Sequence, residues 1–437
     1  MYTQFFPEIE KKTKREIKLF QEELLRKQLE YTLSKSKYYK KQFADNSLGL
    51  SDINTIEDLQ KVPVTTKQDL QQFNQDFICV NRNEIVDYIT TSGTLGDPVT
   101  FAMTDKDLDR LAYNESISFV CAGGSSDDVY QLMTTIDKRF MAGLAYFLGV
   151  RKMGAGIIRV GGGIPELQWD SIQRFSPTAV ITVPSFLIKL IDYAEEKGID
   201  YKNSSVKKAI CIGEALRKPD FSYTTLANRI REKWDIDLYA TYASTEMGTA
   251  FTECSTGQGG HHHPELIIVE FLDDKDQQVP VGEPGEVTIT TLGVEGMPLI
   301  RFKTGDVCNH YTEPCSCGRT SMRLGPVIGR KNQMIKYKGT TLYPPSLYDI
   351  LDTITEVQNY IVEVFTNDIG TDGILIKAGV DQHSTRLEKK IKDHFRAKLR
   401  VAPSIKFYTS KEIEKLQNPE TSRKAVRFID HRNAAKS

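Results

Sequence analysis

Four hydroxyl side chains and two glycines fall within the nine residues Thr90–Pro98, TTSGTLGDP. Glycine lets successive backbone N–H groups turn toward one point and hydroxyls add further donors, so the guest that suits such a loop is a phosphate. It is not a P-loop, because no Lys-Ser/Thr pair closes a second glycine at the required spacing. An ordinary Gly/Ser/Thr turn has the same composition. Further along, Tyr242–Gly248 (YASTEMG) sets Thr245 beside Glu246 after an apolar strand pattern. A hydroxyl next to a carboxylate suits a phosphate with its magnesium ion; the same letters suit a helix N-cap with an acidic first turn. In Arg301–Asp306 (RFKTGD) a carboxylate follows a glycine, placed either to bridge two ribose hydroxyls or to sit in a turn.

A second constellation is soft rather than hard. Cys254 precedes the run His261, His262, His263 across a Gly-rich stretch, and Cys315 and Cys317 lie two apart, about fifty residues later. Three thiolates and one imidazole make a closed tetrahedral zinc site of the structural kind. Such a metal would pin the β-rich extension without catalysing. A Cys-x-Cys pair on a polar Pro/Gly loop is poor core material, which favours metal over packing. Cys79, Cys121, Cys211 and Cys308 read as structural. No Gly-x-Ser-x-Gly elbow is present to support a hydrolase triad.

These groups need a scaffold, and 437 residues provide enough chain for two or three domains. Lys plus Arg (57) nearly cancels Asp plus Glu (58), which gives no support for nucleic acid or an anionic membrane as partner. No apolar run approaches the roughly 20 residues that span a bilayer. The first 20 residues lack an apolar signal core, so a cytoplasmic location is expected. Residues 8–44 read as helix, and the mixed-charge stretches Glu8–Lys18 and Arg386–Arg400 as exposed helix faces. Thr66 and Asp69 make a helix entry. From Ile85 onward, short apolar runs alternate with helical stretches, the pattern of an α/β fold with a mainly parallel sheet. Residues 266–304 read as antiparallel hairpins, and the chain restarts near Arg330 as a small α+β unit. The expected organisation is residues 1–329 as a large N-terminal α/β domain with a zinc-bearing β extension, and 330–437 as a small mobile α+β lid domain.

In order, spacing and residue type these segments resemble the adenylate-forming superfamily of acyl-CoA synthetases, most closely its phenylacetate-CoA ligase branch. The resemblance runs from VPVTTKQDL, before the glycine loop, to KAVRFID near the end. It implies an ATP-dependent acid–CoA ligase: a carboxylate attacks the α-phosphorus of ATP to give an acyl-adenylate, and the thiol of coenzyme A then displaces AMP. By resemblance, Ser92, Gly93, Thr94 and Gly96 would wrap the β- and γ-phosphates, Thr245 would hold the α-phosphate, Glu246 the magnesium and Asp306 the ribose. Gly213, Glu214 and Ala215 would form one wall for adenine, with Tyr242, Ala243 and Ser244 near the other. Lys424 matches the mobile catalytic lysine. Arg330 and Asn332 match the hinge, and Gly339 the coenzyme A tunnel. Among the three histidines the resemblance favours His261 as the metal ligand, with Cys254, Cys315 and Cys317.

The chain departs from the family at Leu95, where a threonine is usual, at Asn332, where aspartate is usual, and at Arg423, which replaces a glycine. The acyl pocket is expected around Ile136, Phe140, Met141, Ala145 and Gly161–Gly163, mainly apolar and suited to an aryl or small hydrophobic acid. Asp137, Lys138 and Arg139 beside it are either surface residues or the mark of a substituted aromatic substrate. Two other functions fit the same segments: loading of a carrier protein, and nucleotide binding without turnover. Homodimers are common in such ligases.

Overall fold

The computed structural model describes residues 7–91, 98–337, 340–367, 371–418 and 426–432. By its contacts the chain divides into two compact units, Met1–Tyr223 with Ala227–Val327, and Thr224–Leu226 with Ile328–Ser437.

The N-terminal helical region is not one helix. A short 3-10 turn, Glu8–Lys11, precedes helices Lys14–Lys35 and Lys37–Asp45. Thr13 and Ser36 cause the breaks: each side-chain oxygen accepts from the N–H three residues on, at 3.3 Å, and so starts a new helix. The Glu8–Lys18 stretch is also not an exposed face throughout. Glu10 is 0% exposed, and the buried Gln21 amide donates to the carbonyls of Pro264 and Ile267, both at 3.0 Å. Thr66 caps helix Lys67–Gln72 reciprocally with Asp69, as its spacing predicts.

Five strands form the parallel part of the main sheet, in the spatial order Asp237–Ser244, Lys208–Cys211, Ala179–Thr182, Val129–Leu132, Gly156–Arg159. Helices Met141–Met153, Pro165–Phe175, Pro184–Lys197 and Thr225–Lys233 connect them. All four residues of Ala179–Thr182 are buried, which is why this strand reads as a continuous apolar run: in a parallel sheet both faces are covered. The sheet continues antiparallel through Thr249–Glu253, Gly260–His261, Arg323–Leu324 and His310–Tyr311. In a second sheet, strands Ile267–Leu272, Gly285–Thr291 and Phe302–Cys308 pair antiparallel, in line with the hairpins read in residues 266–304.

The C-terminal unit folds around its own core of Leu347, Ile350, Val362, Ile376, Ile391 and Phe395. Its sheet has the order Ser404–Tyr408, Asp372–Gly379, Asn359–Thr366, Phe428–Asp430, and carries helices Pro344–Asp352, Thr385–Leu399 and Ser410–Gln417.

Candidate active site and metal cluster

Ligands of parallel α/β sheets bind beyond the carboxyl ends of the strands, where the chain turns into the following helix. Three segments named above, one of them by the resemblance alone, leave the sheet at that edge. Gly213–Ala215 follows strand Lys208–Cys211, Thr245–Gly248 follows Asp237–Ser244, and residues 134–140 follow Val129–Leu132. Gly213 and Ala215 are exposed and so available to a ligand. Gly213 sits at φ +74°, a left-handed conformation that disfavours any side chain there. Glu214 turns elsewhere: its carboxylate accepts from the Ser185 N–H at 2.7 Å, at the start of helix Pro184–Lys197. That is a helix cap, which leaves the backbone of Gly213 and the small Ala215 exposed at this segment.

Asp306 lies inside strand Phe302–Cys308 and not in a turn. Gly305 before it has φ +80°, and the ladder register to Gly285–Thr291 shifts at this point. The resulting bulge re-aims the Asp306 side chain. The Tyr242 hydroxyl donates to Asp306 Oδ2 at 2.8 Å. Burial, then the adjacent Asp306 charge, holds that phenol well above its ordinary pKa, so it stays a donor. The residue expected at adenine and the residue expected at ribose, 64 positions apart, are thus joined by one hydrogen bond.

Thr245–Gly248 is a tight turn between antiparallel strands rather than a helix N-cap. Its position is held by Arg110, which the sequence did not single out. The buried guanidinium donates to Gly248 O (2.6 Å), Leu266 O (2.6 Å), Leu292 O (2.8 Å) and Thr249 Oγ1 (3.1 Å). Burial lowers its pKa to about 10, which leaves the charge in place at neutral pH. Glu246 projects from this turn and meets Lys67 Nζ at 2.6 Å.

The stem of the Thr90–Pro98 loop is a hairpin of Asp87–Thr90 with Thr100–Met103. Thr91 closes it: its N–H donates to Val99 O at 3.0 Å and its Oγ1 accepts from Val99 N–H at 3.1 Å. Ser92, Gly93, Thr94, Leu95 and Gly96 lie outside the described residues, as do Gly339, Arg423 and Lys424. Within the C-terminal unit, Arg330 ends the short strand Gly329–Arg330, and Arg432 donates to the carbonyls of Met334 (2.7 Å) and Asn332 (3.4 Å).

The four expected acyl-pocket residues do not share one wall. Ile136 and Phe140 line a cleft with Val86, Asp87, Leu108 and Leu144. On the following helix, Ala145 is buried in the core at 2% exposure, while Met141, 7% exposed, lines a separate small cavity with Thr245, Glu246 and Met247. Asp137, Lys138 and Arg139 are exposed, the last two at positive φ in the turn.

The second constellation assembles closely. Cys254 follows strand Thr249–Glu253, His261 lies in the short strand beside it, and Cys315 and Cys317 come from the loop between His310–Tyr311 and Arg323–Leu324. The cluster therefore sits at the antiparallel end of the main sheet, not on the 267–308 sheet expected to carry it. Cys254 Sγ and Cys315 Sγ are 3.7 Å apart, and His261 Nε2 lies 3.4 Å from Cys254 Sγ and 3.5 Å from Cys317 Sγ. A tetrahedral ion with ordinary Zn–S and Zn–N bond lengths separates its ligands by about 3.8 Å (S to S) and about 3.5 Å (S to N). The donor set and its spacing fit such an ion.

Burial depresses the His261 pKa to about 3, aided by the Arg319 charge, so the imidazole is neutral and able to ligate. At Cys254 burial prevails and raises the thiol to about 11. At Cys315 burial is outweighed by hydrogen bonds, first from the Cys317 N–H and the Thr256 hydroxyl, which bring it down to about 7. His262 and His263 point elsewhere, His262 to Ile267 O at 2.6 Å and His263 Nδ1 to Glu10. All three histidines are buried, so the run is not a surface loop. Behind the cluster, Arg319 spans Glu10 Oε2 (2.7 Å) and Cys317 Sγ (3.5 Å), a support that the N-terminal charge pattern did not reveal.

Residues 20–296 match the model of the AMP-binding enzyme family and residues 339–432 that of the AMP-binding enzyme C-terminal domain. The chain is 28% identical to a phenylacetate-coenzyme A ligase of Aromatoleum evansii, over 97% of this chain and 96% of that one. It is 26% identical to the enzyme of that name from Thermus thermophilus, over 90% and 94%. A crystal structure of 2-hydroxyisobutyryl-CoA ligase with 2-HIB-AMP superposes with a TM-score of 0.86 at 22% identity, covering 100% of this chain and 94% of that one. An anthranilate CoA ligase with anthranoyl-AMP covers 76% and 65% at a TM-score of 0.59 and 20% identity. With two family models covering both units and relatives aligned nearly end to end, this chain belongs to the AMP-binding enzyme family.

Proposed function

We propose that this protein is an ATP-dependent acid–CoA ligase that activates an aryl or small hydrophobic carboxylic acid through an acyl-adenylate. The observation that carries the reading is the convergence of Tyr242, Asp306 and the Thr245–Glu246 turn at the carboxyl edge of the parallel strands. The full-length likeness to phenylacetate-coenzyme A ligases supports it.

In the first half-reaction a carboxylate oxygen of the acid attacks the α-phosphorus, and the bond from that phosphorus to the bridging oxygen of pyrophosphate breaks. Little covalent help is needed; the site positions the reactants and neutralises charge. Asp306, oriented by Tyr242, accepts from the ribose hydroxyls. Gly213 and Ala215 present backbone to the adenine. The Thr245 hydroxyl donates to an α-phosphate oxygen, and Ser92, Gly93, Thr94 and Gly96 supply donors to the terminal phosphates. Glu246 is the carboxylate that would hold magnesium, which when bound offsets charge on the phosphates. Lys424 donates to the carboxylate and the bridging oxygen. In the second half-reaction the thiol sulfur of coenzyme A attacks the acyl carbon, its proton is lost, and AMP departs with the electrons of the acyl–oxygen bond. Gly339 is assigned to coenzyme A binding and Asn332 to the hinge.

The acid sits near Ile136 and Phe140, in the cleft that also includes Leu108 and Leu144. Cys254, His261, Cys315 and Cys317 hold one structural zinc ion, with no open position for a substrate. Among the described residues no helix is long and apolar enough to cross a membrane; the setting we propose is cytoplasmic.

The test is pyrophosphate release with ATP and magnesium across a panel of aryl and short-chain acids, with and without coenzyme A. Acid-dependent release accelerated by coenzyme A is the expected result. Release indifferent to coenzyme A would move the acceptor to a carrier protein. ATP binding without release for any acid would refute turnover.

A further inference from the structure

Lys67 is the first residue of helix Lys67–Gln72, and two connections determine where its side chain can reach. The Thr66–Asp69 capping box sets the start of the helix. One residue earlier, the fully buried Thr65 is bonded onto the strand that carries Asp306: its N–H donates to Arg301 O and its carbonyl accepts from Lys303 N–H, both at 2.9 Å, while its hydroxyl donates to Ile300 O at 2.8 Å. The helix start therefore moves with strand Phe302–Cys308. From there the Lys67 ammonium crosses to Glu246, 179 positions later, at 2.6 Å. The Lys67 side chain is 35% exposed and that of Glu246 is 11% exposed.

A pair placed there differs in kind from the surface bridges of the molecule. Its carboxylate is the one read above as the magnesium ligand, and its cation comes from a helix whose start is bonded to the strand of Asp306. A lysine is a compact charge on a flexible stem with three donors, so it can change partner without moving its backbone. Magnesium takes oxygen ligands in a fixed octahedral array and usually shares them with phosphate. Ion and ammonium compete for the same carboxylate oxygens, and an arriving polyphosphate offers the ammonium a new anion at close range.

We infer that Lys67 is a nucleotide-site residue that exchanges counter-ions: it neutralises Glu246 in the empty site and passes to a phosphate oxygen of ATP when Glu246 takes up magnesium. The exchange keeps the Glu246 charge from repelling the incoming polyphosphate, and it leaves a cation beside the phosphates afterwards. The inference rests on the reading of Glu246 given above.

A double-mutant cycle separates this exchange from a static salt bridge. The variants are Lys67→Met, Glu246→Gln, the double variant and Lys67→Arg, with kcat/KM for ATP read from pyrophosphate release at saturating magnesium and acid. Melting temperature monitors folding. If the two residues act on different groups in the bound state, each single change lowers kcat/KM about tenfold and the double lowers it about a hundredfold, near the product. Lys67→Arg keeps the charge and recovers most of the loss. A double variant no worse than either single would overturn the exchange, because a static pair is already lost when one member goes. If Glu246→Gln weakens ATP use and Lys67→Met does not, this inference alone fails. If Glu246→Gln has no effect, the magnesium reading itself fails.

Discussion

The two candidate sites of the N-terminal unit use charge in opposite ways. At the strand ends, the Lys67 and Glu246 side chains are 35% and 11% exposed, and the neutral Tyr242 hydroxyl donates to Asp306. At the far end of the same sheet, Glu10, His263 and Arg319 are at most 3% exposed, and the donor atoms of Cys254, His261, Cys315 and Cys317 lie within 4.8 Å of one another. The open region can exchange partners because water screens the intermediate states. The closed region cannot, because each of its charges loses far more when its partner leaves a dry site. Chemistry belongs where partners can be exchanged, and architecture where they cannot.

The largest expected effect tests the open side. Lys424→Ala should reduce adenylate formation by about a thousandfold, the scale of losing a donor to developing charge, while leaving thioester formation from supplied adenylate near the parent rate. Single-turnover assays of each half-reaction check this, and equal losses in both would contradict the assignment. Next, Asp306→Asn should lower kcat/KM for ATP by about tenfold to a hundredfold, read as pyrophosphate release against ATP concentration. Tyr242→Phe removes only the hydrogen bond that orients Asp306, worth about 1 kcal/mol, so a loss of about fivefold is expected. A larger loss from Tyr242→Phe than from Asp306→Asn would reverse their roles.

On the closed side the activity effect should be smallest and the stability effect clear. Cys315→Ser should abolish a one-equivalent zinc content measured by elemental analysis and lower the melting temperature by several degrees, yet change turnover per folded molecule less than about twofold. Loss of turnover with unchanged stability would make the ion catalytic. The buried histidines add a pH signature. Burial depresses His262 to about 4 and His261 to about 3, so near pH 5 the unfolded chain binds protons that the folded chain does not. Stability then rises with pH across this range and is lost as pH falls from about 6.5 toward 4. Melting curves from pH 7.5 to 4.5 should show that decline, and it should shrink in His262→Asn. A flat profile would mean that the histidines remain hydrated.

Local signals were legible wherever the decisive partner is nearby in the chain. The Thr66–Asp69 cap, the apolar strand at Ala179–Thr182 and helix Thr385–Leu399 all follow from spacing that a single element satisfies by itself. The Cys254/His261/Cys315/Cys317 set was also legible, because thiols on polar loops have few other uses. Burial of charge was not. Glu10 lies in a run of lysines and glutamates indistinguishable from a solvated helix face, and only Arg319, 309 positions away, and His263 account for its place inside. The Glu214 carboxylate caps a helix that the strand order brings beside it, a partner that its local sequence does not show.

Residue type and spacing by themselves determined the element pattern, the phosphate-suited and metal-suited segments and the family to which the chain belongs. They could do so because turns, caps and ligand chemistries are satisfied by short-range geometry. Tertiary structure alone decided that Lys67 meets Glu246, that Tyr242 holds Asp306, that Arg110 secures the 245–248 turn, and that the thiol cluster closes at the antiparallel end of the sheet. Each of these joins groups between 7 and 179 positions apart. Which of many equivalent charges and hydroxyls become partners is settled by the order in which strands pack, and that order is a property of the folded sheet.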